Sequence, residues 1–217
     1  MNQKELQQKN PDKKIHSIKD TAFTVYGKII VNDQLPQVLD MASGEITFPI
    51  EESEYRASEL IFEEQSIMAW IQNYIYGGMD IQAGRCLGHN QELNGVEYHQ
   101  GSETIIALSD LVLILGQRCD MKDEHYDLGK AEIFYVEKGS CVELYGTTLH
   151  YTPCQVEESG FATICILPKG TNIPIEETDC KILTKKNKFF ITHPQMTAKI
   201  EQGAKPYLMG EIISINI

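Results

Sequence analysis

The chain is short of positive charge: 19 Lys and Arg stand against 31 Asp and Glu, for a formal net charge of −12 at pH 7. A surface of that sign repels phosphate backbones and anionic lipid headgroups, so neither nucleic acid nor a membrane surface is an expected partner, and a small-molecule substrate is. No run of about 18 uninterrupted apolar residues occurs, and no membrane-spanning helix is predicted. The opening "MNQKELQQKNPDKK" lacks the apolar stretch of a secretory signal, which makes the cytoplasm the expected location. Cys86, Cys119, Cys141, Cys154, Cys165 and Cys180 form no C-x-x-C pair and are predicted to be free thiols packed among apolar residues. Missing as well are G-x-x-x-x-G-K-[ST], G-x-G-x-x-G after a strand, G-x-S-x-G and H-E-x-x-H, so ATPase, dinucleotide oxidoreductase, serine hydrolase and zincin chemistry have no support.

What is present describes one β-rich domain. The 217 residues are 42% hydrophobic and 23% charged, enough apolar surface to offset the entropy of ordering a single core. Residues 1–64 read as an N-terminal arm, with a short or frayed helix at the start and then loops and short strands broken by Pro36, Gly44 and Pro49. In residues 65–78 the apolar positions Ile67, Trp70, Ile71, Tyr74 and Ile75 recur at helical spacing and Gly77-Gly78 supplies a stop, which predicts a helix. Residues 79–217 become short β-patterned runs separated by turn residues, the signature of a sandwich or barrel that hides its sheet edges.

The chemistry concentrates in two stretches. In "EYHQGSETIIALSDLVLILG", Glu97 and His99 share one face of an extended strand, and Glu103 has the same parity if the strand is unbroken. In "EIFYVEKGSCVELYGTTLHYTPC", His150 follows a Gly146-Thr147 turn, and a turn is needed to bring Glu143 and His150 to one interior. Imidazole and carboxylate donors of this kind suit a divalent metal, Mn, Fe or Zn.

These two stretches resemble the first and second motifs of the cupin superfamily, and together they span roughly residues 84 to 168. The whole chain is similar to a bacterial family of cupin-like proteins of about this length, and more distantly to ureidoglycolate lyase and cupin-type sugar isomerases. The resemblance implies an all-β, cupin-type (double-stranded β-helix or jelly-roll) barrel with an N-terminal arm and one or two helices packed outside. It places His99, Glu103 and His150 on metal-ligand positions, and it puts Glu97 where a first His is expected. Glu97 therefore stays open between ligand, catalytic base and solvated strand residue. The lyase branch carries Gln at the position of Glu103 and a His-His pair where this chain has His150-Tyr151, so the likeness to it is partial.

Around these ligands, Glu97 and Glu143 are the candidate catalytic bases, and His89, Glu132 and His193 the candidate substrate contacts. Each has a plainer alternative: an exposed alternate position for Glu143, an edge charge for Glu132, and surface or strand-end histidines for His89 and His193. Lys185-Lys186-Asn187-Lys188 reads either as an anion-binding cluster or as a charged turn. The expected activity is that of a metal-dependent enzyme on a small carbohydrate or hydroxy/keto acid, an isomerase, epimerase or lyase working through proton abstraction and a metal-stabilised enediolate. The alternatives are a non-catalytic sugar-binding sensor and an iron-dependent dioxygenase. A homodimer is the expected assembly.

Overall fold

The run "LVLILG" is apolar at every position, and a strand of that kind needs cover on both faces. The strand Leu111–Gln117 receives it. Leu111, Leu113 and Leu115 join Ile105, Phe134, Val142 and Phe161 in one buried cluster. Val112 and Ile114 face the other way and join Leu6, Tyr126 and Tyr135 in another.

The computed structural model describes residues 1–176 and 178–217. One sheet has the order Gly27–Ile30, Cys141–Leu144, Glu103–Ala107, Phe161–Pro168, Ile81–Gly88 and Glu54–Arg56, antiparallel throughout. The facing sheet runs Ile15–Ser17, Glu132–Val136, Leu111–Gln117 and Thr148–Leu149. An isolated antiparallel bridge between Glu97 and His150 extends it to Gly95–Tyr98, which pairs in turn with Lys188–Thr192 and Leu183–Lys185. The chain passes from one sheet to the other and back: Gly95–Tyr98, Glu103–Ala107, Leu111–Gln117, and later Glu132–Val136, Cys141–Leu144, Thr148–Leu149. This is the double-stranded β-helix of the cupin type.

The core between the sheets centres on Phe134, which Phe23 and Tyr26 meet edge-on at ring separations of 5.4 and 5.2 Å. Burying a ring of this size contributes about 1.5–3 kcal/mol. The outer face of the first sheet is sealed by helices, with Val38, Ala42, Phe62, Ile67 and Ile71 packed on Ala83, Ile106, Ile164 and Ile166.

The predicted helix is found at Ile67–Tyr74 and ends before Gly77 and Gly78, whose φ values of +60° and +83° turn the chain in a way that suits glycine. The short strands expected in the N-terminal arm are found, as parts of the two sheets and not as an outside wrap. Ile15–Ser17, Gly27–Ile30 and Glu54–Arg56 are integral strands, two of them forming sheet edges against residues more than a hundred positions away. The short helix expected at the start is found at Gln3–Lys9, but the expectation of one or two helices packed outside falls short, since the described residues also hold α-helices at Leu35–Glu45, Leu60–Glu63 and Thr197–Glu201. Leu35–Glu45 escaped because Pro36 and Gly44 look like breakers. Pro36 lies in the first turn, where its missing N–H costs nothing, and Leu35, Val38 and Ala42 supply the buried stripe. All six cysteines are free. No helix among the described residues is long and apolar enough to cross a membrane.

Candidate metal centre

The two motifs meet through backbone. Glu97 N–H donates to His150 O at 2.7 Å and His150 N–H donates to Glu97 O at 3.0 Å, so the two residues form a hydrogen-bonded antiparallel pair with side chains on one face. Val96, Tyr98 and Leu149 point to the outer cluster, which directs Glu97 and His150 inward. The chain then turns at Gly101, with φ +120°, and Glu103 enters from the facing sheet. Gly146 permits that turn to close: a Cβ there would lie 3.0 Å from the Gly101 carbonyl oxygen.

The imidazoles are oriented from behind. His99 Nδ1 lies 2.6 Å from the Asn187 carbonyl oxygen, and His150 Nδ1 lies 3.1 Å from that of Thr148. A carbonyl only accepts, so each Nδ1 carries a proton, and in the neutral ring each Nε2 presents a lone pair to the interior. Both Nε2 atoms are buried without a hydrogen-bond partner, although His99 is 1% and His150 5% exposed. The lone pairs face carboxylates. His150 Nε2 is 2.8 Å from Glu103 Oε2, at ion-pair distance without hydrogen-bond direction. His99 Nε2 is 3.6 Å from Glu103 Oε2 and 3.7 Å from Glu97 Oε1. The other Glu97 oxygen meets the Lys188 ammonium.

Electrostatics keeps the carboxylates ionised. Burial works to raise the Glu97 carboxyl, but Lys188, then His99 and His150, outweigh it and hold it well below the usual carboxylate range. Burial opposes ionisation of Glu103 as well, and His150 and His99 overcome it, so its pKa is lowered. His150 is pulled down by burial, yet Glu103 and Glu97 leave it raised.

The donor set fits a divalent cation. Donor atoms of Glu97, His99 and His150 lie within 4.8 Å of one another, with Glu103 against both histidines. An ion bound at about 2.0–2.2 Å sets neighbouring donors roughly 3–3.4 Å apart, close to the separations found here. Each buried lone pair left without a partner costs on the order of 1–3 kcal/mol, which a cation would remove. Beside these donors lies a cavity of about 210 Å³, walled by Tyr55, Ile105, Tyr151, Pro153, Cys165 and Lys188 among others.

Of the expected site residues, His99, Glu103, His150 and Glu97 come together. Glu143 does not. It pairs in register with Thr104, on the outward face that carries Ile166 and Ala83, where it takes a 2.6 Å hydrogen bond from Ser102 Oγ and a 3.0 Å ion pair with Lys28. A base on that face has no access to the cavity. His89 is spent on structure, its ring nitrogens 2.9 Å from Gln155 Oε1 and 2.7 Å from the Ile50 carbonyl oxygen. His193 is likewise occupied, with Nε2 donating to the Gly210 carbonyl at 3.0 Å and Nδ1 accepting from Gln195 N–H at 3.3 Å. Glu132 lines a separate groove with Lys13, His16 and Asp127. None of these three walls the metal cavity.

Sequence reasoning passed over Tyr55 and left Asn187 and Lys188 ambiguous within one charged cluster. Asn187 has φ +57°, a left-handed turn that suits Asn, and its Oδ1 accepts from Gln100 N–H at 2.7 Å, so the hairpin tip is locked onto the first motif. Lys188 lies two residues from Phe190, the register partner of Glu97, and thus on the same face. The Lys-Lys-Asn-Lys spelling was the available signal. Tyr55 arrives through Glu54–Arg56 and had none.

The family described as a domain of unknown function (DUF4867) matches residues 15–213. No curated protein matches the chain significantly. Among solved structures, a mutant of Bacillus subtilis oxalate decarboxylase is similar at 9% identity and TM-score 0.33, covering 67% of this chain and 36% of that one. Lactobacillus farciminis oxalate decarboxylase in a formate complex is similar at 9% identity and TM-score 0.36, covering 72% and 36%. The chain thus spans about a third of the length of these proteins. The fold assignment stands on the strand pairing itself.

Proposed function

The chain belongs to the DUF4867 family, and from that premise we propose that it is a metal-dependent cupin enzyme acting on a small carbohydrate or hydroxy/keto acid, as an isomerase, epimerase or lyase. The observation that carries the reading is the pair of buried, unpartnered Nε2 lone pairs facing two ionised carboxylates. His99, His150 and Glu103 would hold the ion, with Glu97 either a further donor or the base. A divalent ion, Mn, Fe or Zn, would supply Lewis-acid stabilisation of negative charge developing on substrate oxygens. The protein's own contribution is orientation and proton handling. Asn187 and Thr148 fix the histidine tautomers, Ile105, Pro153 and Cys165 wall the cavity, and Glu97 and Lys188 are the groups at its wall able to take and return a proton. While Lys188 holds Glu97 its carboxylate is a weak base; a substrate that draws the ammonium away makes it a stronger one.

The test is elemental analysis of protein purified without chelators or a His tag, followed by a screen of aldoses, ketoses and sugar acids. Stoichiometric metal lost in His99→Ala and His150→Ala, with turnover of one substrate class, is expected. Absence of metal under every loading condition overturns the reading, and iron-dependent oxygen uptake would replace it with a dioxygenase.

A further inference from the structure

The charges walling the cavity can be summed. Glu97 and Glu103 carry two negative charges, Lys188 one positive, and the remaining lining groups, counted with both histidines in the neutral form that binds a metal, carry none. The wall alone is therefore negative by one. With a divalent cation on the four donors, the same wall is positive by one. A net charge enclosed beside Ile105, Pro153, Cys86 and Cys165 is costly unless a counter-charge joins it.

The excess charge has an address. Lys188 is mostly covered, with 22% of its side chain exposed, and its ammonium lies against the Glu97 oxygen that has no hydrogen-bond partner. Once Glu97 turns its charge to a cation, Lys188 is the one cation of the lining left to be neutralised. Outside the lining, Lys199 Nζ sits 4.4 Å over the Tyr151 ring while donating to Asn94 Oδ1 at 2.6 Å, which adds positive potential on the same side. Size narrows the occupant. A cavity of about 210 Å³ takes a molecule of roughly ten non-hydrogen atoms or fewer, below the usual range for drug-sized ligands.

We propose that the metal-loaded cavity selects small monoanionic acids, 2-hydroxy or 2-oxo monocarboxylates, with Lys188 as the specificity-determining residue that neutralises the carboxylate. The proposal rests on the metal-dependent reading above and narrows its substrate class: neutral polyols leave Lys188 uncompensated, and dicarboxylates overfill the site by one charge. Among the residues of the lining, only Lys188 can enforce this distinction by charge.

Isothermal titration calorimetry on the full chain, loaded with Mn(II), compares three probes of equal carbon number: lactate, malonate and glycerol. Lactate is expected to bind at least about tenfold more tightly than either of the others, a gap of ~1.4 kcal/mol. Lys188→Met is expected to erase that preference while the metal content stays stoichiometric, and Lys188→Arg to restore most of it. The Arg variant keeps the test decisive if the Met variant folds poorly. Retained metal with glycerol or malonate binding as tightly as lactate overturns the monoanion assignment and leaves the metal centre standing. An unchanged lactate preference in Lys188→Met overturns the role of Lys188. Failure of the wild-type chain to take up metal overturns the metal reading, and this inference with it.

Discussion

Two pairs of hydrogen-bonded histidines, His89 and His193 against His99 and His150, differ in what they leave over, and of the four only His89 is exposed. His89 and His193 find a protein partner for each ring nitrogen. His99 and His150 find one for Nδ1 alone, and their Nε2 atoms converge with Glu97 and Glu103. A fully paired histidine is a structural cross-link, whereas a half-paired one that is buried holds an unmet demand. The difference locates a site by its deficit of partners rather than by the residue types present, and it separates ligand candidates from ties.

The hardest way to break the comparison is alanine substitution in both pairs. His99→Ala and His150→Ala are expected to lower affinity for Mn(II) or Zn(II) by on the order of 100-fold or more, read by elemental analysis after dialysis. His89→Ala and His193→Ala should keep their metal; His193→Ala should instead lose about 1–3 kcal/mol of stability through the stranded Gly210 carbonyl, and His89→Ala, at an exposed position, less. Metal loss from the second pair would erase the distinction.

A subtler break removes the support behind His99. Asn187→Ala places an alanine at φ +57° and disturbs the carbonyl that fixes the tautomer, and metal affinity should fall roughly 10- to 100-fold. Asn187→Gly keeps the left-handed turn and should recover much of it. Equal behaviour of the two variants in metal titrations would show that the carbonyl is not what orients the ring.

Acidity sharpens the contrast further. Glu97 and Glu103 have lowered pKa values, so in metal-free protein their contribution is present above the ordinary carboxylate value of about 4.5 and is lost as pH falls through the lowered values. His150 is raised, so its contribution is present below its ordinary value of about 6.5 and is lost as pH rises through the higher folded value. Metal-free protein should therefore be most stable between those limits and lose on the order of 1 kcal/mol, or 2–4 °C in Tm, toward alkaline pH. Metal-loaded protein, with His150 neutral at the ion, should not show that loss. Parallel thermal melts across the range decide it. The smallest effect belongs to Glu143→Gln, which should leave metal content unchanged and cost under about 1 kcal/mol, because its Lys28 partner is half-exposed.

Legibility followed the range of the interactions. His99, Glu103 and His150 were picked out by the resemblance to two motifs, whereas strand parity did not carry to Glu103, which the turn at Gly101 places on the facing sheet. Glu143 was misplaced because its face depends on pairing with Thr104 across the sheet, which a one-strand count from His150 does not contain. The barrel was visible in short apolar runs, and Ile15–Ser17 read as extended, but its parallel partner at Ile133, Phe134 and Tyr135 was not visible because it lies more than a hundred residues away. Helix Leu35–Glu45 hid behind Pro36 and Gly44. Lys188 spelled only charge; its contact with Glu97 exists because the hairpin docks in the register Phe190 to Glu97.

The bridge between Glu97 and His150 also bears on how the protein is made. The cavity wall draws on Tyr55, the first motif, His150 and Lys188, so during synthesis from the N-terminus its parts leave the ribosome far apart in time. Glu97 and Glu103 must wait, without their cationic partners, while the chain from 104 to 149 is still being added. Lys188 arrives later still. The nascent chain therefore carries acidic side chains that disfavour burial until the hairpin Leu183–Thr192 emerges, which delays closure of this end of the barrel until that hairpin has been added.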